Sequence, residues 1–122
     1  MKNLSVQFQP DLQPSIDFDV KASELERLAR KLPFVDQVSV DSGSNDGRYI
    51  NVDIQTSDVT VLWPWVQDYL GLKSEKRPLI SEAVIVVCEG EDDWNDYLLL
   101  HHFDATQETD NLVAPSNGPG ST

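Results

Sequence analysis

The sequence predicts an α+β domain: a mostly antiparallel sheet with two helices on one face, in the order β-β-α-β-β-α-β-β. Three observations carry this reading. Apolar and polar residues alternate with period two in several short runs, two other stretches repeat their apolar residues every three or four positions, and turn-forming segments separate them.

Leu4, Val6 and Phe8 alternate with Ser5 and Gln7, and Ile16, Phe18 and Val20 alternate with Asp17, Asp19 and Lys21. Each run reads as a strand with one polar face, and the Pro-containing residues 9–14 form a turn between them. Ser23 stands three residues before Glu26, the spacing of a capping box. Leu25, Leu28, Ala29 and Leu32 follow at i, i+3, i+4 and i+7, so an amphipathic helix is expected, stopped by Pro33.

Val38 and Val40 alternate with Gln37, Ser39 and Asp41, and beyond the Gly-rich residues 42–47, Ile50, Val52 and Ile54 alternate with Tyr49, Asn51, Asp53 and Gln55. This is a hairpin whose outer row is polar with one aromatic, and its Asp46-Gly47 end suits the turn. Pro64 is tolerable near a helix start, so a second helix is expected over residues 61–70, with Trp63, Val66 and Leu70 on one face and Gly71 as its stop. Residues 73–78 read as a solvated loop.

Residues 83–88 are apolar throughout, the pattern of a strand buried on both faces and central in the sheet. Residues 89–93 turn the chain. Residues 94–103 fit a helix with Trp94, Tyr97, Leu98 and His101 on one stripe, or a strand with Tyr97, Leu99, His101 and Phe103 on one face. The strand is favoured, because a central strand needs a neighbour and the turn is short. The middle of this order is ferredoxin-like, which by itself carries almost no functional information.

At 122 residues the chain has room for one domain, expected over residues 3–104. Residues 105–122 offer only Leu112, Val113 and Ala114 for burial, so they are expected to form a disordered or loosely docked acidic tail. The lone Cys88 makes no internal disulfide, and no secretion signal or membrane span is legible, so a cytoplasmic, reduced setting is expected.

Charge is the most informative property: 21 acids against 9 bases give a net charge of -12. Residues 1–31 are balanced, whereas residues 78–122 hold nine acids and no Lys or Arg. Such a balance argues against direct binding of nucleic acid or anionic membrane. It suits a basic protein partner, because complementary charge speeds encounter.

No cofactor or metal is expected. Glu89, Glu91, Asp92, Asp93 and Asp96 crowd one turn but lack the ligand spacing of a calcium loop. His101 and His102 are adjacent, so their side chains diverge and cannot share one ion. Cys88 sits in an apolar run and reads as an inert thiol, and no nucleophile motif is present, so an enzyme is not expected. Were there a small-ligand or enzymatic site, Asp53, Tyr49, His101 and His102 would be its candidates.

The expected function is therefore a small acidic inhibitor of a basic protein, in the manner of an immunity protein or antitoxin against a nuclease-like toxin. An anti-CRISPR-like inhibitor of a defence complex, occupying a basic nucleic-acid channel, has the same composition. Glu89, Glu91, Asp92, Asp93, Trp94, Asp96 and Tyr97 are the expected partner-binding residues, with aromatics as anchors and acids as steering charge. An exposed edge strand also allows a homodimer.

Overall fold

In the computed structural model, Leu4, Val6 and Phe8 of strand β1 (Lys2–Phe8) are fully buried on the same side, and the sheet is assembled around them. The structure describes residues 2–44, 47–72, 79–90, 93–104 and 106–110, with the backbone alone for 79, 90 and 93–96. After β1 come α1 (Phe18–Ala29), β2 (Val35–Ser44), β3 (Arg48–Thr56), α2 (Val59–Leu70), β4 (Val84–Gly90) and β5 (Asp93–His101), with short 3-10 turns at Pro10–Leu12 and Leu79–Ala83. All five strands are antiparallel to their neighbours, in the spatial order β2-β3-β1-β4-β5.

Helix α1 begins where a strand was expected. Residues 16–20 are not a second strand, so the element order is β-α-β-β-α-β-β. Asp17 caps the helix, accepting from the Val20 N–H at 3.2 Å, and Phe18, Ala22, Leu25 and Ala29 are buried at i, i+4, i+7 and i+11. Val20, the third apolar residue of the supposed strand, is 58% exposed. Ser23 lies in the helix interior and caps nothing.

Helix α2 starts at Val59 because Asp58 accepts from both the N–H and the hydroxyl of Thr60. Val59, Leu62, Val66 and Leu70 form its buried stripe, and Gly71 ends it in the left-handed region at φ 71°. Trp63 is half-buried at the rim of that stripe, as is Trp65, whose ring stacks on Tyr69 at 5.9 Å. Pro64 sits within the helix.

Both helices place their apolar stripes in one core with Val38, Ile50, Val52, Ile54, Val84, Val86, Cys88 and Leu100. Complete burial of a side chain such as Leu4, Val6 or Phe8 contributes roughly 1.5–3 kcal/mol. Thr56 and Ser81 are the buried polar residues among those described, and the Thr56 hydroxyl is satisfied: it donates to the Phe34 carbonyl and accepts from the Asp58 N–H.

The β2–β3 hairpin forms with Ser44 opposite Arg48, and Gly47 takes the positive φ of 124° that its turn requires. Residues 45–46, the expected loop 73–78 and residues 111–122 of the expected tail, with Leu112 and Val113, lie outside the described residues. The strand reading of residues 94–103 holds over Asp93–His101, which pairs back onto β4.

The expected central position of β4 does not hold. β1 occupies the middle, β4 lies second from the edge, and only one of its faces meets the helices. Ala83, Val84, Val86 and Cys88 are buried, whereas Ile85 and Val87 point to the other side and are half-buried.

Candidate functional site: the uncovered face of the sheet

Because side chains alternate along each strand, Asn3, Ser5 and Gln7 of β1 and Tyr49, Asn51, Asp53 and Gln55 of β3 stand on the face the helices leave uncovered. The register sets these residues in rows. Gln37, Gln55, Asn3, Glu89 and Tyr97 cross the sheet first, then Ser39, Asp53, Ser5, Val87 and Leu99, then Asp41, Asn51, Gln7 and Ile85. A polar half on β2, β3 and β1 therefore adjoins an apolar half on β4 and β5.

The polar half is held by side-chain bonds across strands. The Ser5 hydroxyl donates to Asp53 Oδ1, the Gln7 amide donates to Asn51 Oδ1 at 3.0 Å, and Asn3 Nδ2 donates to Ser5 Oγ at 3.1 Å. Glu89 Oε1 accepts from the Asn3 backbone N–H at 2.8 Å. Asn3, Gln37, Ser39, Asp53, Gln55 and Glu89 surround a depression of 260 Å³. Near the hairpin end the Tyr49 ring lies against Gly43, where a Cβ would sit 2.5 Å from the Tyr49 hydroxyl.

None of the described Lys or Arg residues lies on this face. Lys2 is in register with buried Thr56 and so takes the helix-bearing side, and Arg48 reaches Asp19 of α1 with a doubly bonded guanidinium at 2.7 and 2.8 Å. The two oxygens of Asp19 hold that guanidinium above its ordinary pKa. Lys21, Arg27, Arg30 and Lys31 belong to α1 and its C-terminal end. The face presents carboxylates, amides and hydroxyls beside apolar side chains, an arrangement able to accept donors from a partner and to bury apolar surface.

Of the expected partner-binding residues, Glu89 and Tyr97 face each other across β4 and β5 on this surface, and Tyr97 is 60% exposed. Asp93, Trp94 and Asp96 belong to β5 by their backbone, with side chains outside the described residues, as are Glu91 and Asp92 entirely. Sequence reasoning passed over Asn3, Ser5, Gln37, Ser39, Ile85 and Val87 as site residues. The signal available was the apolar second face of residues 83–88.

The residues nominated for a small-ligand or enzymatic site do not converge. Asp53 and Tyr49 stand on the uncovered face, whereas a β-bulge between Val86 and Val87 puts His101 opposite Val86, on the helix side, where its Nε2–H donates to the Ser81 carbonyl at 2.9 Å. His102 Nδ1 accepts from the Asp104 N–H, and its ring packs on Phe103 at 4.2 Å. Cys88 is buried, and that burial pushes its thiol pKa up to about 11. Burial and the neighbouring Glu24, which accepts from the Tyr69 hydroxyl at 2.7 Å, raise the Tyr69 pKa as well.

Among the described residues no group of three His, Cys, Asp or Glu is placed to hold a metal ion, and no helix is long and apolar enough to cross a membrane. No protein-family model, curated protein or solved structure matches this chain.

Proposed function

We propose that this chain is a small acidic binding protein that neutralises a basic protein partner, as an immunity protein or antitoxin does. The observation that carries it is the uncovered sheet face, which sets Asp41, Asp53 and Glu89 beside Ile85, Val87, Leu99 and Tyr97 without a described cation. Protein interfaces combine an apolar centre with a polar rim, and complementary charge raises the association rate. Phosphate-bearing partners are disfavoured on the same ground.

This reading places the contact on the sheet face and includes the acidic segment 89–96 at its β4–β5 end. It also takes the first six elements, β1 through β4, as a ferredoxin-like unit with β5 appended. In support, β3 lies between β1 and β2, and β1 lies between β3 and β4, so the two strands joined through each helix run parallel with a third between them. Such a unit leaves one sheet face free for a partner.

The test is affinity capture with the tagged chain at low and high salt, followed by reconstitution with the purified captured protein. A basic protein that forms a complex at low salt and is released at high salt is the expected result. Failure to form a low-salt complex with any basic protein removes the proposal.

A further inference from the structure

We propose that the depression between Asp53 and Glu89 receives one arginine side chain of the basic partner, its guanidinium spanning the two carboxylates across β1. This rests on the reading of the chain as a binder of a basic protein, and it specifies the chemistry of the contact.

Geometry selects the guanidinium. Asp53 on β3 stands beside Ser5, and Glu89 on β4 stands beside Asn3, so the two are separated by two strand spacings and two residues along the strand. Their Cα atoms are then about 12 Å apart. Both residues line the depression, Asp53 from the β3 side of β1 and Glu89 from the β4 side, and carboxylates set on different strands favour a donor group with reach over the compact point charge of an ammonium. A guanidinium presents five donors in a rigid, weakly hydrated fork and can engage both.

The acceptors are already oriented. Asp53 is fixed by the Ser5 hydroxyl and Glu89 by the Asn3 N–H. An ionised carboxylate has about four acceptor sites, so each retains capacity after one such bond. Asn3, Gln37, Gln55 and Ser39 add neutral oxygens around the rim, and none of the described Lys or Arg residues lines the depression. Its 260 Å³ and polar lining differ from the larger, mainly apolar pockets of roughly 300–1,000 Å³ that hold small ligands, and suit a single inserted side chain. Val87 and Leu99, in the row beside Glu89, offer apolar cover to the aliphatic stem.

The experiment is an amide chemical-shift titration of the full chain at low salt with N-acetyl-arginine methylamide, and in parallel with the lysine analogue. Shifts centred on Asn3, Ser5, Asp53, Gln55 and Glu89 with the arginine probe, and binding several-fold weaker with the lysine probe, are expected. Asp53→Asn and Glu89→Gln keep an acceptor oxygen while removing charge, and each should weaken the arginine probe about tenfold. Equal responses to the two probes, or shifts centred elsewhere, overturn the proposal even if neither variant folds. A captured basic partner whose affinity is unchanged in Asp53→Asn also overturns it while leaving the proposed function standing. Arginine-selective binding at this site with no basic partner captured supports the pocket and removes the proposed function instead.

Discussion

The backbone N–H of Asn3 donates to Oε1 of Glu89 at 2.8 Å, one position beyond Leu4 and Cys88, the last backbone partners of β1 and β4. The Glu89 side chain thus extends the ladder where the β4 backbone leaves it. Replacing Glu89 by Ala removes the acceptor and is expected to cost about 1 kcal/mol, whereas Glu89→Gln, which keeps an amide oxygen in place, should cost less. Denaturant unfolding of the two variants measures the difference. Equal losses would show that charge, and not the ladder bond, is what Glu89 supplies to stability.

The start of α1 separates the cap that forms, Asp17, from the Ser23–Glu26 box that the sequence spacing predicts. Asp17 accepts from the Val20 N–H, while Ser23 is exposed in the helix interior. Asp17→Ala should therefore destabilise the fold by about 1 kcal/mol, the usual loss for a helix N-cap. Ser23→Ala should be neutral or slightly stabilising, because Ala is the better interior helix residue. The reverse ordering in thermal melts would restore the Ser23–Glu26 capping box.

The same region shows how far patterns in the chain are legible. Ile16, Phe18 and Val20 satisfy period two over five residues, too short a window to exclude a helix. The longer set Phe18, Ala22, Leu25 and Ala29 carries the true period. The hairpin was readable because its polar row of Tyr49, Asn51, Asp53 and Gln55 is interrupted by nothing, and the turn chemistry agrees. Residues 83–88 mislead for a different reason. An apolar run shows that both faces of a strand favour removal from water, but not what covers them, and here Ile85 and Val87 face away from both α1 and α2. Bulges leave no compositional mark, so the turn of His101 away from Tyr97 and Leu99 could not be read at all.

At the outer edge of β5, Asp110 bonds to both backbone groups of Leu99. Its N–H donates to the Leu99 carbonyl at 2.7 Å, and its Oδ2 accepts from the Leu99 N–H at 2.8 Å. An edge strand with free backbone groups is a template for unwanted pairing, and this contact occupies part of it. Asp110→Ala removes the acceptor of the Leu99 N–H. Hydrogen exchange at Leu99 should then accelerate by roughly fivefold, the factor that corresponds to one bond of about 1 kcal/mol. Asp110→Asn retains a side-chain oxygen and should change it little. An unaltered Leu99 rate in Asp110→Ala would mean that other groups protect this edge.

Cys88 links the core to alkaline stability. It is fully buried on the helix-bearing side of β4, beside Leu4 of β1, and desolvation raises its thiol pKa from 9.0 to about 11. Below about pH 9 both folded and unfolded forms hold the proton, so the neutral thiol adds no pH dependence. Between about pH 9 and 11 the unfolded chain ionises while the folded chain does not, and stability falls by up to about 1.4 kcal/mol per pH unit. The loss levels off once the folded thiol also ionises. Cys88→Ala lowers stability at every pH through the cavity it leaves, but it should remove this part of the slope. Unfolding free energies of wild type and variant at about pH 8 and about pH 10 isolate the contribution, since the tyrosines and lysines titrate in both. A gap between the two proteins that does not narrow with rising pH would show that the thiol ionises as readily in the fold as out of it.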